Sequence, residues 1–311
     1  WFQPHCSKAH WLAFTTLLAV GLTVYSIATR FWILAAAGQI FLVVSGWEFL
    51  AQLANTQPDW YLALTPIAGL ALLSTGVGAW FARQPDTGST WSEPVRQTAL
   101  FYRWAALLMS LVWVHNYIPE RERFWVLALA GAAVLAWSGW RRQTEGLIMS
   151  AILTVAGFGF FWFHLHRGTA VYVPNLLAIL LLFAQQHLVR RLDTGSRIPT
   201  PFHSAAIWLA AATLWLFVSR WVLLKSGGFY LTASWAALAF LLFGAGFLLR
   251  ERVHRWSGLT VLALALGRAG LIDVWRLETI YRILSFMALG IVLLLIGLIY
   301  SKYQEKIREW L

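Results

Sequence analysis

The chain is 311 residues long, 59% apolar and only 12% charged. That leaves too few polar side chains to cover a water-soluble globule of this size and assigns the chain to lipid. The formal charge of +11 does not point to nucleic acid, because the basic residues sit in short connections between apolar runs and not along one amphipathic face.

A membrane crossing needs roughly 20 mostly apolar residues, and only helices and closed barrels satisfy their backbone in lipid. The runs here are long and unbroken, unlike the ~10-residue alternating segments of a barrel. The expected fold is therefore all-α, a polytopic transmembrane helix bundle of about eleven spans. In chain order the spans are expected at Trp11–Ala28, Phe31–Ala54, Trp60–Ala82, Thr98–Ile118, Phe124–Trp140, Gly146–Leu165, Val173–Val189, His203–Leu224, Phe229–Leu249, Ser257–Val274 and Ile280–Tyr300. Turn chemistry separates them at Asn55–Asp59, at Arg83–Gln97 with its two prolines, at Arg190–Pro201 and at Lys225–Gly228. No connection is large enough for a soluble domain, so residues 1–311 are expected to form a single transmembrane helical domain. The opening at Trp1, with neither methionine nor a leader pattern, suggests the C-terminal part of a longer protein.

Short loops richer in Lys and Arg stay in the cytoplasm. One side collects fourteen of the 24 basic residues, among them Arg83, Arg142, Arg191, Arg252 and Lys306, while the other collects seven and three fall inside spans. This predicts a multi-pass protein of the inner membrane with its C-terminus in the cytoplasm and Trp1 outside. The tail Ser301–Leu311 interleaves Lys302, Lys306 and Arg308 with Ile307, Trp310 and Leu311, a pattern suited to lying on headgroups. Tryptophans at span ends, such as Trp60, Trp125, Trp140 and Trp256, read as an interfacial belt. Glycine pairs Gly76/Gly78, Gly157/Gly159 and Gly244/Gly246 are expected to let helices approach closely. One internal similarity stands out: Arg30 to Gly38 matches Arg123 to Gly131, and Ser45-Gly46-Trp47 recurs as Ser138-Gly139-Trp140.

An ionisable side chain at bilayer depth is a functional suspect, because it is costly unless paired or wetted. At ~1.5 Å rise per residue, Arg268 falls about 16 Å into its span, near the midplane, with Asp273 near the outer end. Asp273 and Arg276, three apart, share a helix face and can pair. Arg268 and Asp273, five apart, stand roughly 140° around a regular helix, so Arg268 is expected to take its partner from another helix or from water. Arg282, Glu48 and Arg220 complete the candidate polar or ion-binding site in the outer half.

His115, His164 and His166 also fall at outer ends and are weaker candidates. Alternation turns His164 and His166 to opposite sides of a helix, and Cys6 with His5 and His10 matches no metal-ligand spacing, so no metal site is expected. No catalytic motif is present either, and no cofactor is expected. The lone Cys6 excludes an internal disulfide framework.

The last two spans run Gly267-Arg-Ala-Gly-Leu-Ile-Asp273-Val-Trp-Arg-Leu-Glu-Thr-Ile-Tyr281-Arg-Ile-Leu-Ser-Phe286-Met-Ala-Leu-Gly290. Over about 35 residues this resembles the C-terminal end of the bacterial multi-pass family catalogued as domain of unknown function 2339, at Arg268, Asp273, Tyr281, Arg282, Ser285, Phe286 and Gly290. The resemblance implies a many-helix integral membrane protein, often preceded by a soluble coiled-coil-like part, and places Arg268 where lysine is commoner. It brings no established activity. Three functions stay open: a non-enzymatic transporter-like or envelope-associated module with a polar site; a structural scaffold for partner helices; and an intramembrane enzyme using the outer histidines. The expected partners are the lipid bilayer, other membrane helices and a missing N-terminal region, without nucleic acid.

Overall fold

The structure, a computed structural model, describes residues 8–29, 32–55, 57–82, 92–141, 144–166, 173–192, 200–226, 229–273, 275 and 279–302. Among these residues it is helical with no strand. The helices are α1 Lys8–Thr29, α2 Trp32–Asn55, α3 Trp60–Ala63, α4 Thr65–Ala82, α5 Ser92–Tyr117, α6 Arg123–Arg141, α7 Thr144–His166, α8 Val173–Leu192, α9 Thr200–Lys225, α10 Phe229–Leu248, α11 Arg252–Arg268 and α12 Thr279–Lys302. A π-helical turn, Ala269–Asp273, extends α11. Every expected span coincides with a helix, the third being divided into α3 and α4. Pro66 explains that division: it has no N–H for the carbonyl of Leu62, which instead accepts the Thr65 hydroxyl at 2.7 Å.

Five stretches among the described residues are long and apolar enough to cross a membrane: Ala36–Asn55, Glu145–Leu165, His203–Lys225, Tyr230–Leu248 and Thr279–Leu298. Large apolar side chains such as Ile40, Trp47, Leu241 and Ile283 lie exposed on their surfaces, as lipid-facing groups do. The helix that carries Arg268 is not one of the five. α11 is 17 residues long, carries charge at both ends and packs against α9 and α10.

The chain forms two compact units, Trp1–Pro119 and Glu120–Leu311. In the first, α1 and α2 make a hairpin in which the Thr16 and Ser45 hydroxyls share a hydrogen bond of 2.6 Å. The Tyr102 hydroxyl of α5 donates to Gln39 Oε1 of α2 at 2.5 Å and links the two helices. Its connection at Asn55–Asp59 turns through Gln57 at φ 42° and is tied down by Tyr117, whose hydroxyl donates to the Pro58 carbonyl at 2.5 Å.

In the second unit a core of Phe124, Phe161, Ile179, Leu182, Phe217, Ala239 and Leu262 joins α6 to α11. Indole and amide groups stitch the helices where apolar packing alone gives no register: Gln185 donates to the Ala128 carbonyl at 2.9 Å, and Trp162 to Thr213 Oγ1 at 3.1 Å. The α10–α11 turn passes through Arg250 at φ 57°, with the Glu251 N–H returning to the Gly246 carbonyl at 2.9 Å. Glu251, His254 and Arg255 are all buried behind this turn.

Close helix approach uses glycines other than most of those expected. Gly76, Gly159 and Gly244 face open space, and Gly157 makes only ordinary contacts. A Cβ on Gly246 would stand 2.6 Å from the Arg255 nitrogen, and one on Gly258 would stand 2.7 Å from the Phe243 nitrogen. These two hold α11 close to α10 over the turns next to their connection. Gly38, Gly69 and Gly146 are similarly tight.

The two similar sequence segments also pack alike. A Cβ on Gly38 would meet Thr23 Oγ1 and the Ala19 carbonyl, four residues apart on α1; a Cβ on Gly131 would meet Thr154 Oγ1 and the Ser150 carbonyl, four apart on α7. Seven residues on, Ser45 touches α1 and Ser138 touches α7. The neighbour precedes the segment in one unit and follows it in the other.

Gly258→Ala is expected to weaken the folded protein by about 1–3 kcal/mol through overpacking, whereas Gly244→Ala should change stability by less than about 0.5 kcal/mol. Heat-unfolding midpoints in detergent will separate the two; equal midpoints would refute the α10–α11 contact.

Candidate functional site

The lower turns of α11 begin as a regular helix of Leu, Ala and Gly, and the π turn inserts its wider i→i+5 spacing immediately after Arg268. That spacing reverses the expectation that Arg268 and Asp273 face apart. Arg268 Nη2 lies 3.6 Å from Asp273 Oδ1. On a regular helix the two would sit roughly 140° apart; the π turn carries the fifth residue round to the same face.

A third side chain closes the group. Thr232, fully buried in the first turns of α10, accepts a hydrogen bond from Arg268 Nε at 3.1 Å and donates one to Asp273 Oδ2. A hydroxyl can do both at once, which suits threonine to a position between a cation and a carboxylate. The expected partner for Arg268 from another helix is thus present as well. Trp235, one turn further along α10, puts its ring 5.7 Å from the Arg268 guanidinium carbon. Its indole N–H donates to Ser219 Oγ of α9 at 2.8 Å, and the Ser219 hydroxyl donates to the Trp215 carbonyl at 2.6 Å. One polar path therefore runs from α9 through α10 to the π turn.

Burial is asymmetric: the Asp273 side chain is 2% exposed and that of Arg268 is 16% exposed. The carboxylate depends wholly on its two protein partners, while the guanidinium keeps an accessible edge. Asp273 Oδ1 has the Arg268 ion pair but no hydrogen bond within normal distance. The pair is well placed electrostatically but not saturated.

The π turn, α9, α10, α11 and α12 pack together here. Among the described residues the last turns of α9 and α11 and the first turns of α10 and α12 carry four cations, Arg220, Lys225, Arg268 and Arg282, and one carboxylate, Asp273. Arg220 is half-buried on α9, with its Nε enclosed and lacking a hydrogen-bond partner. Lys225 lies over the Trp221 ring at 5.3 Å. Arg282 is half-buried on α12.

The other candidates do not join this group. Glu48 lies in the first unit on α2, where Gln52 Nε2 donates to it at 3.5 Å. His115 is exposed at the end of α5. His164 is buried on α7, its Nδ1 3.6 Å from Glu120, which also lies 3.9 Å from Arg123. Arg276, His5, Cys6, the tail beyond Lys302 and the side chains of Trp140 and His166 lie outside the described residues. Among the described residues no cluster of three or more His, Cys, Asp or Glu side chains could hold a metal. Sequence reasoning missed Thr232 and Trp235, since an apolar helix start gives no sign that its hydroxyl will meet a charge 36 residues on.

These features define a multi-pass helical membrane protein with a buried Arg–Asp–Thr group at one end of its second unit. The chain belongs to the family of predicted membrane proteins catalogued as domain of unknown function 2339, whose model matches residues 8–303. The likeness first visible over the last two spans thus extends along nearly the whole chain. No curated protein and no solved structure matches it.

Removing one member of a buried ion pair costs about 3–5 kcal/mol, whereas replacing both by apolar groups is often neutral. Arg268→Leu and Asp273→Leu are each expected to lose stability, Asp273→Leu toward the lower value because Arg268 keeps some water. The double variant should regain most of the loss. Denaturation in detergent checks this, and additive losses would mean the two groups do not interact.

Proposed function

We propose that this chain is a non-enzymatic, transporter-like module of the bacterial inner membrane whose polar site takes an oxyanion. The observation that supports this reading is a pair of guanidinium groups on neighbouring helices: Arg268 keeps an accessible edge, and Arg220 has an enclosed Nε without a hydrogen-bond partner. Guanidinium groups present planar, paired donors suited to carboxylate or phosphate oxygens. A π turn within a membrane helix adds to the reading, because such turns recur at functional sites. With the C-terminus in the cytoplasm, the site lies in the outer half.

A scaffold for partner helices is the second reading, favoured by α12, whose apolar side chains Ile280, Ile283, Met287 and Leu294 are largely exposed. Lipid covers such a face equally well. The enzyme reading draws least support, because the exposed His115 and the buried His164, which lies 3.6 Å from Glu120, stand on different helices in different units.

In nanodiscs of neutral lipid, sulfate, phosphate and acetate will be screened for their effect on the heat-unfolding midpoint. A ligand at a hundredfold excess over its Kd stabilises by about 2.7 kcal/mol. At least one oxyanion is expected to raise the midpoint of the wild type and not that of Arg268→Leu. No rise with any of them, or an equal rise in Arg268→Leu, would favour the scaffold.

A further inference from the structure

Arg268 and Asp273 neutralise each other, so an anion that engages the guanidinium must compete with the carboxylate for it. The geometry decides what happens next. Asp273 is 1% exposed, its Oδ2 is taken by the Thr232 hydroxyl, and Arg268 is the ion-pair partner at Oδ1. If Nη2 turns to an incoming anion, Oδ1 is left as a buried charge with no partner among the described residues. A carboxylate in that position takes up a proton instead of remaining ionised.

We propose that an oxyanion binds at Arg268 together with one proton on Asp273, so that the site loads an anion and a proton as a unit. This rests on the oxyanion-site reading above. The balance is simple: a proton from the aqueous phase forms an O–H bond at Asp273 Oδ1, the Arg268 contact passes from that oxygen to the anion, and no redox partner is needed. The net charge of the site is then unchanged by a monoanion. Thr232 can stay in place, donating to Oδ2 throughout.

Among the described residues, the other charged or titratable groups at this end of the elements packed around the turn are Arg220 and Lys225 on α9, Tyr230 on α10, and Tyr281 and Arg282 on α12. None of these is a carboxylate. The cations among them attract an anion. A phosphate or carboxylate group could come from a lipid headgroup or from a free solute, since both present the same oxygens.

Sulfate is a suitable probe because it stays fully ionised between pH 5 and 8, and any proton taken up then belongs to the protein. Calorimetric titration of the full chain in neutral-lipid nanodiscs, repeated in buffers of different ionisation enthalpy, counts protons directly. Uptake of about one proton per sulfate is expected, with affinity rising up to about tenfold for each pH unit lowered. Asp273→Asn should bind sulfate with no uptake and no pH dependence. Nanodiscs doped with phosphatidylglycerol separate the sources: suppressed sulfate binding supports a lipid headgroup as occupant, and unchanged binding supports a free anion. Sulfate binding without proton uptake by the wild type would overturn the coupling and leave the oxyanion site standing. No binding to the wild type under any of these conditions would overturn both. The proton count on the unmodified chain decides the matter even if Asp273→Asn fails to fold.

Discussion

A charge buried in an apolar helix must be neutralised where it stands, and the second unit is arranged around that demand. Arg268 follows an apolar stretch of α11, and its counter-charge is supplied five residues on by the same chain. Regular helical geometry forbids that pairing. Widening one turn to π geometry permits it, at the expense of the ordinary i→i+4 ladder over Ala269–Asp273.

The pair also needs its third member at the right height, which ties the site to packing far from it. Gly258 and Gly246 let α11 lie against the backbone of α10, and the turn through Arg250 fixes where α11 begins. The register so set brings Thr232 and Trp235 opposite Arg268. Trp235 in turn anchors on Ser219 of α9. A shift of one residue along the α10–α11 crossing would swing Thr232 away and leave both charges short of a hydrogen-bond partner.

The helices were legible in the sequence because lipid imposes a single solution on long apolar runs, so the spans fall on helices from Lys8 to Lys302. How many of them cross the membrane was less legible: α11 owes its place to its neighbours, and its charged first turns hide it from a test of length and apolarity. Arg268 and Asp273 were visible as suspects, since charge is rare in such a chain. Their pairing was misjudged because sequence spacing presumes a regular helix, and a run of Ala, Gly, Leu and Ile carries no mark of a π turn. The glycines show the same boundary. A glycine pair announces room for close packing, yet Gly244 faces open space while Gly258, outside any pair, makes the tight crossing. The similarity between residues 30–38 and 123–131 proved more informative, since both segments set a glycine against a threonine and a carbonyl four residues apart.

The group combines a carboxylate that depends on the protein with a guanidinium that keeps an open edge, and the pairing of the two depends on the π turn. Solid-state NMR on the lipid-embedded protein, with recoupling between the guanidinium nitrogens of Arg268 and the carboxyl carbon of Asp273, tests that turn directly. A coupling that fits the 3.6 Å contact is predicted. Absence of coupling, with backbone shifts of a regular helix through Ala269–Asp273, would contradict it.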